Sequence, residues 1–133
     1  MAKEWGIGVT TTAEMRRLME MIRFNEAGTP AACDEMLRIV THQYFDGDIP
    51  SQLPPYIHTG SKSGALNALR ADVAVVDAPT GTYILSIYTN NNQDKRWTYE
   101  NEGDQAIRKI SSLIWKYYNP HSTWTSPPGV ENY

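Results

Sequence analysis

The chain has 133 residues, the size of one ordinary domain, and its hydrophobic content of 41% and charged content of 20% are those of a globular protein. A net charge of -3 does not favour binding to nucleic acid or to an anionic membrane. No apolar run approaches the roughly 20 residues that a membrane span needs. The single cysteine, Cys33, excludes an internal disulfide and a cysteine-based zinc site.

Two amphipathic helices are predicted in the first third of the chain. The first follows a capping box, in which Thr11 and Glu14 can satisfy each other's free backbone donors. Its apolar residues recur at helical spacing: Met15, Leu18, Met19 and Ile22. The second has Thr29 as its cap and Pro30 at its first position, and it places Cys33 on a core face.

The middle of the chain is predicted to form strands. Glycine and proline make residues 46–55 a loop. The predicted strands are an edge strand ending at Gly60, a strand at 71–76 and a strand at 82–89. Their connections are a loop of small residues at 61–69 and a turn at 77–81. Both faces of the last strand are apolar, so we expect it to be covered on both faces.

A polar loop at 90–103 precedes the last predicted helix. Asp104 is expected to cap this helix, and Asn119-Pro120 to end it. Its core face is predicted from four residues: Ile107, Ile110, Ile114 and Tyr117. The chain is therefore interpreted as one domain or part of one, with an N-terminal segment at 1–9, a folded portion at 10–119 and a tail at 120–133.

An ordered set of motifs resembles a known family. After the capped helices come Ile49-Pro50-x-x-Leu53-Pro54, then His58-Thr59-Gly60, then Asp72-Val73-Ala74-Val75-Val76, an apolar strand and a terminal helix. This order is similar to the C-terminal portion of the class A β-lactamase-like, penicillin-recognising serine hydrolases, whose edge strand carries Lys-Thr-Gly or a variant. The resemblance covers 10–119. It implies an α+β fold, with an antiparallel sheet of at least three strands packed with helices, as in the C-terminal part of the β-lactamase/transpeptidase-like fold.

The resemblance also implies site residues. The backbone N–H of Ser61 would be an oxyanion-hole donor, a contribution worth about 3 kcal/mol. Thr59 and Arg70 would bind the substrate carboxylate, and Gly60 would be a further substrate-binding residue. His58 stands where the family has lysine and would join the hydrogen-bond network. Histidine is mostly neutral at pH 7, so the site would lose a fixed positive charge.

The attacking group of the family is expected to lie outside this chain. The family's nucleophile is a serine with a lysine three residues later, and no serine here has that spacing. We expect no cofactor and no metal, because the histidines show no zinc-ligand spacing. The family is usually exported to the periplasm or secreted, whereas Met1 to Trp5 lack the apolar core of a signal peptide.

Three functions stay open on the sequence. The first is the C-terminal portion of a hydrolase acting on a β-lactam or ester, completed by an N-terminal half or by a second copy of the chain, and inactive alone. The second is a non-catalytic binding or assembly module that recruits a partner at an exposed strand edge. The third is an α+β domain in which Thr59-Gly60 is only a turn.

Overall fold

The computed structural model describes residues 8–130, and these form an α+β fold, as predicted. The helices are α1 (Thr12–Arg23), α2 (Pro30–Val40) and α3 (Glu102–Tyr118), with a short 3-10 helix at Pro50–Gln52. The strands are β1 (His58–Leu66), β2 (Leu69–Ala78) and β3 (Gly81–Thr89). They form one antiparallel sheet in the order β1-β2-β3.

The sheet is a meander in which each strand pairs with the next one in the chain. Two-residue turns join the strands, Asn67-Ala68 between β1 and β2 and Pro79-Thr80 between β2 and β3. Within residues 8–130, β3 pairs only with β2. The other edge of β3 is therefore free of strand partners from this part of the chain.

β1 is longer than the sequence indicated. The loop predicted at 61–69 is wrong, because residues 61–66 continue β1 and pair with β2 as far as Leu66 opposite Leu69. Thr59 and Gly60 lie inside β1, opposite Val76 and Val75, so the interpretation of Thr59-Gly60 as a turn is also wrong. Small polar residues have weak strand preference, and backbone pairing with the apolar β2 decides their conformation.

The first two helices begin where the sequence predicted. At α1 the Glu14 N–H donates to Thr11 Oγ1 at 3.2 Å, and the Thr11 N–H donates to Glu14 Oε2 at 2.8 Å, which completes the capping box. At α2 the Ala32 N–H donates to Thr29 Oγ1 at 3.2 Å. Leu18 differs from its prediction as a core residue, because it is 45% exposed.

The sheet is covered on both faces, so the fold has three layers. Alternate residues of β2 enter two separate apolar clusters. On one face Val73 and Val75 pack with Met19 of α1 and with side chains of α2. On the other face Ala74 and Val76 pack against the segment containing Ile49 and against α3; the further buried members there are Leu53, Ala78, Ile87, Ile107 and Trp115.

α3 differs from its prediction in both its start and its buried face. Its N-cap is Asn101, whose side-chain oxygen accepts from the Gly103 N–H at 2.8 Å, so the prediction of Asp104 as the cap is wrong. Ile107 is buried as expected, but Tyr117 is 76% exposed. The sheet takes the face that carries Trp115, and part of the predicted stripe faces outward.

The tail folds back onto the domain as far as it is described. Ser126 Oγ donates to Gln52 Oε1 at 2.9 Å, and Trp115 Nε1 donates to Ser122 Oγ at 3.3 Å. The predicted N-terminal segment lies almost wholly outside the described residues. Across 8–130, no helix combines the length and the apolar character that crossing a membrane requires.

Candidate active-site cleft

A cleft of about 450 Å³ opens beside β1, between this strand, the segment that follows α2 and the loop that follows β3. We name it the β1 cleft. It is lined by Phe45, Gly47, Asp48, Lys62, Ser63, Gly64, Ala65, Arg70, Trp97, Thr98, Tyr99 and Asp104. Its volume is in the range of small-molecule sites.

Four of the site residues predicted from the sequence do not line this cleft. His58 is exposed, and its Nδ1 lies 3.4 Å from Asp77 Oδ2, at the end of β1 remote from the cleft. Ser61 is buried, with 2% exposure, and Gly60 is buried against α2. Thr59 Oγ1 donates to the Ile57 carbonyl at 3.3 Å.

The residues that do line the cleft from β1 begin four positions later, with Lys62-Ser63-Gly64-Ala65. Lys-Ser-Gly is a variant of the Lys-Thr-Gly pattern, so it is a signal that the sequence analysis missed. Ser63 pairs with Asp72 and Ala65 pairs with Arg70. Directly paired residues lie on the same face of a sheet, so Ser63 and Ala65 share the face that carries Arg70.

Arg70 is the one predicted site residue that lines the cleft, and its side chain is already heavily bonded. Its exposure is 3%. Nε donates to Asp104 Oδ2 at 3.2 Å, Nη1 donates to the carbonyls of Leu66 and Leu69, and Nη2 donates to the Arg96 carbonyl. These bonds use four of the five N–H donors of a guanidinium.

The same guanidinium also orders the loop after β3. Its central carbon lies 5.1 Å from the centroid of the Trp97 ring, a cation–π geometry. Asn101 is fully buried, and its side-chain amide donates to the carbonyls of Asp94 and Arg96. The loop that carries Trp97 into the cleft is therefore held from two sides.

The carboxylates of the cleft are perturbed by burial. Burial raises the pKa of Asp48 to about 7, with a further rise from the charge of Asp104, while Arg108 and Arg70 oppose the shift. Burial also raises the pKa of Asp104, against the opposing charge of Arg70. Each acid faces an arginine: Asp104 bonds Arg70, and Asp48 Oδ1 lies 3.6 Å from Arg108 Nη1.

Asp72 lies next to the cleft, on β2. Its Oδ2 accepts from the Ile49 N–H at 2.9 Å, while Oδ1 has no hydrogen-bond partner among the described residues. Burial raises the pKa of Asp72 to about 7. This bond ties the segment before the 3-10 helix to the sheet, and so positions the neighbouring wall of the cleft.

A metal cluster and a nucleophile with its base are the two kinds of reactive group that bear on the chemistry of residues 8–130. Residues 8–130 contain no group of three His, Cys, Asp or Glu side chains placed to hold a metal ion. Thr59 does have Lys62 three residues later, but both lie on β1. Side chains at an odd spacing on a strand point to opposite faces, so this pair lacks the geometry of a nucleophile and its base.

Comparison with known proteins places the fold. A model of the β-lactamase enzyme family matches residues 3–118. The chain is similar to a β-lactamase from Sphaerobacter thermophilus DSM 20745, with a TM-score of 0.70 and 23% identity over 80% of this chain and 40% of that one. It is also similar to a β-lactamase from Xanthomonas campestris pv. campestris, with a TM-score of 0.71 and 19% identity over 86% of this chain and 42% of that one.

A PBP-A variant in an acyl-enzyme complex with penicillin G is a further similar structure, with a TM-score of 0.73 and 22% identity over 86% of this chain and 42% of that one. No curated protein sequence matches the chain. The chain thus spans about 40% of the length of the solved proteins it resembles. It matches the family model over most of its own length, and it therefore belongs to the β-lactamase enzyme family.

Proposed function

We propose that this chain is the C-terminal portion of a β-lactamase-like serine hydrolase and supplies the substrate-facing wall of its acyl-transfer site. The nucleophilic serine then belongs to a segment outside this chain. The observation that carries the proposal is that Lys62-Ser63-Gly64, a Lys-Thr-Gly variant, lines the β1 cleft. The substrate class is a β-lactam or an ester.

Each residue of this wall has a chemical role in the proposal. Lys62 pairs with Val73 on the sheet face opposite Ser63, but its ammonium donates to the Ser63 carbonyl at 2.7 Å and Lys62 lines the cleft, where it supplies a positive charge. The Ser63 hydroxyl hydrogen-bonds the substrate carboxylate. The backbone N–H of Ala65 is one donor of the oxyanion hole, and such a donor stabilises the tetrahedral intermediate by about 3 kcal/mol.

Arg70 has a limited part in carboxylate binding. A bidentate grip needs two free N–H donors, and the bonds of Arg70 leave one. Its charge is also balanced by Asp104. In the proposal Arg70 supplies a single donor and holds the loop of Trp97, while Lys62 and Ser63 bind the carboxylate.

The residues proposed for this wall begin four positions after those first predicted, which were His58, Thr59, Gly60 and Ser61. Those residues would serve the cleft only if β1 shifted its pairing, and the burial of Gly60 under α2 opposes such a shift. A one-residue slip in register already reverses which side chains face the core.

The test is a chimera in which this chain replaces the matching C-terminal part of the Sphaerobacter thermophilus β-lactamase. We expect the chimera to hydrolyse nitrocefin and the isolated chain to have no activity. Lys62→Ala should lower kcat/KM by about 100-fold or more, the effect of removing one such electrostatic group. His58→Ala should cause a loss only if the first prediction is right, and Tyr56→Ala, far from the cleft, is the control.

If the chimera fails to fold, a binding measurement on the isolated chain still tests the proposal. Penicillin G should shift the amide resonances of Ser63 and Ala65 in ¹H–¹⁵N spectra. Shifts confined to His58–Ser61 would favour the first prediction. Turnover of nitrocefin or of a p-nitrophenyl ester by the isolated chain, abolished by a substitution of one of its own serines, would contradict a nucleophile located elsewhere.

A second function, a binding or assembly module without catalysis, is favoured by the free edge of β3. This edge has no strand partner within residues 8–130. Its partner would be a second copy of this chain, joined by strand addition. Light scattering should then show a mass above that of the monomer, and proline at Ile84 or at Ser86 should restore the monomer. A monomer of unchanged mass in all cases would argue against this function.

A further inference from the structure

Three exposed aromatic residues surround the mouth of the β1 cleft. Phe45 is 65% exposed, Trp97 is 64% exposed and Tyr99 is 37% exposed, and all three line the cleft. We name this group the aromatic rim. A cluster of exposed aromatic residues beside a concave site is typical of a binding surface, whereas single exposed aromatic residues are common on any protein.

The rim is held in place by the fold. The Arg70 guanidinium lies against Trp97, and Arg70 is itself fixed by its bond to Asp104. The Tyr99 carbonyl accepts a hydrogen bond from Arg108 Nη2. A contact surface that is ordered before binding loses less conformational entropy when a ligand arrives.

The charges of the cleft identify what the rim can bind. Asp104 is paired with Arg70, and Asp48 faces Arg108, so the buried charges near the rim are balanced. Lys62 is exposed on the β1 wall. The cleft therefore offers a cation on its strand side and a neutral, flat, apolar surface on its loop side.

We propose that the aromatic rim binds an aryl side chain on the acyl group of the substrate, and so selects aryl-acyl compounds over those with a small acyl group. This inference rests on the proposed function for the orientation of the substrate. Its carboxylate meets Lys62 and Ser63, and its aryl group stacks on Trp97 and Tyr99. An aromatic pair contributes beyond the apolar area that it buries.

The experiment compares three probes on the intact chain by ¹H–¹⁵N spectroscopy. Benzylpenicillin carries the aryl group and the carboxylate, 6-aminopenicillanic acid lacks the aryl group, and phenylacetamide lacks the carboxylate and the lactam. The indole N–H of Trp97 is one of four in the chain and is assigned from a Trp97→Phe spectrum. We expect it to shift with benzylpenicillin and phenylacetamide but not with 6-aminopenicillanic acid.

The affinities give the second readout. Benzylpenicillin should bind about tenfold more tightly than 6-aminopenicillanic acid, the gain of one aromatic contact together with its buried area. Trp97→Ala and Tyr99→Ala should each remove most of this preference. Tyr56→Ala removes another exposed tyrosine, remote from the cleft, and should leave the preference unchanged.

The outcomes separate the two proposals. A phenylacetamide shift at Trp97 without any shift at Ser63 and Ala65 from 6-aminopenicillanic acid supports the rim and contradicts the acyl-transfer wall. Shifts at Ser63 and Ala65 with equal affinity for the two penicillins overturn the rim alone. If Trp97→Ala unfolds the loop, the test rests on the affinities of Tyr99→Ala and on the phenylacetamide shift of the unmodified chain. An unchanged preference in Tyr99→Ala together with no phenylacetamide shift at Trp97 would contradict the inference.

Discussion

Asp72 is the most deeply buried acidic side chain among the described residues, with 1% exposure. It holds the Ile49 N–H with one oxygen, and within the described chain the other oxygen has no hydrogen-bond partner. Burying an ionised carboxylate costs free energy unless partners compensate for the lost water. Asp72 therefore stabilises the segment beside the 3-10 helix while lowering the stability of the whole domain at neutral pH.

This carboxylate makes stability depend on pH in a defined direction. Its pKa is raised from 3.8 to about 7 in the folded state, so folding favours the protonated form. Its contribution is most favourable below pH 4 and is lost as the pH rises through about 7. Asp48 acts in the same pH range, since its pKa is also raised to about 7.

We predict that Asp72→Asn raises the free energy of unfolding at pH 8 by on the order of 2 kcal/mol and has little effect at pH 4. The asparagine oxygen can still accept from the Ile49 N–H, and the uncompensated charge is removed. Urea unfolding at the two pH values measures this. Asp46→Asn, an exposed acid nearby, is the control and should change neither value. A loss of stability at pH 8 would contradict the prediction.

At the scale of the elements, the contact between β1 and α2 requires that residue 60 has no side chain. A Cβ added at Gly60 would lie 2.9 Å from Val40 Cγ2, 3.2 Å from Thr41 Cγ2 and 3.3 Å from Val75 Cγ1. The helix can approach the strand this closely because residue 60 is glycine. Gly64, four residues along the same strand, has no atom within 4 Å of such a Cβ.

The two glycines give a matched pair of substitutions. Gly60→Ala should lower the free energy of unfolding by about 1–3 kcal/mol, because the added methyl group overpacks the interface with α2. Gly64→Ala should be neutral or stabilising by a few tenths of a kcal/mol, because it only reduces the freedom of the unfolded chain. Urea midpoints of both variants check this, and similar midpoints would refute the described packing.

The elements differ in how far their sequences determine them. α1 and α2 were predictable because Thr11, Glu14 and Thr29 act through local hydrogen bonds. The second half of β1 was not, because its conformation depends on pairing with β2, and Lys62-Ser63-Gly64 was hidden by an expected loop. The burial and bonds of Arg70 depend on a residue 34 positions away, Asp104, which no local pattern reveals.

At the scale of the whole molecule, α3 carries an apolar stripe that faces outward. Ile110 is 38% exposed, Leu113 is 58% exposed and Tyr117 is 76% exposed, and these residues recur at helical spacing. Periodicity predicted part of this stripe as core. Such a stripe is typical of a helix that has a packing partner on that side. Its exposure fits a chain that spans about 40% of its structural relatives.

We predict that this stripe drives weak self-association of the isolated chain. Leu113→Glu combined with Tyr117→Glu should yield a monomer at concentrations where the unmodified chain associates. The free energy of unfolding should change by no more than about 0.5 kcal/mol, because both side chains are exposed. Sedimentation equilibrium and urea unfolding measure the two effects. Gln105→Glu, an exposed position of α3 that is not three or four residues from any member of the stripe, should leave association unchanged. A monomeric unmodified chain would rule out association through the stripe.

The meander order of the sheet has a consequence for how this protein reaches its final state. Each strand meets its neighbour across a turn of two residues, so the sheet is built from contacts that are close in sequence. Local contacts close quickly and do not wait for distant chain segments. The sheet can therefore form without contacts from a separate polypeptide segment, and a segment that docks on it later would meet a preformed template.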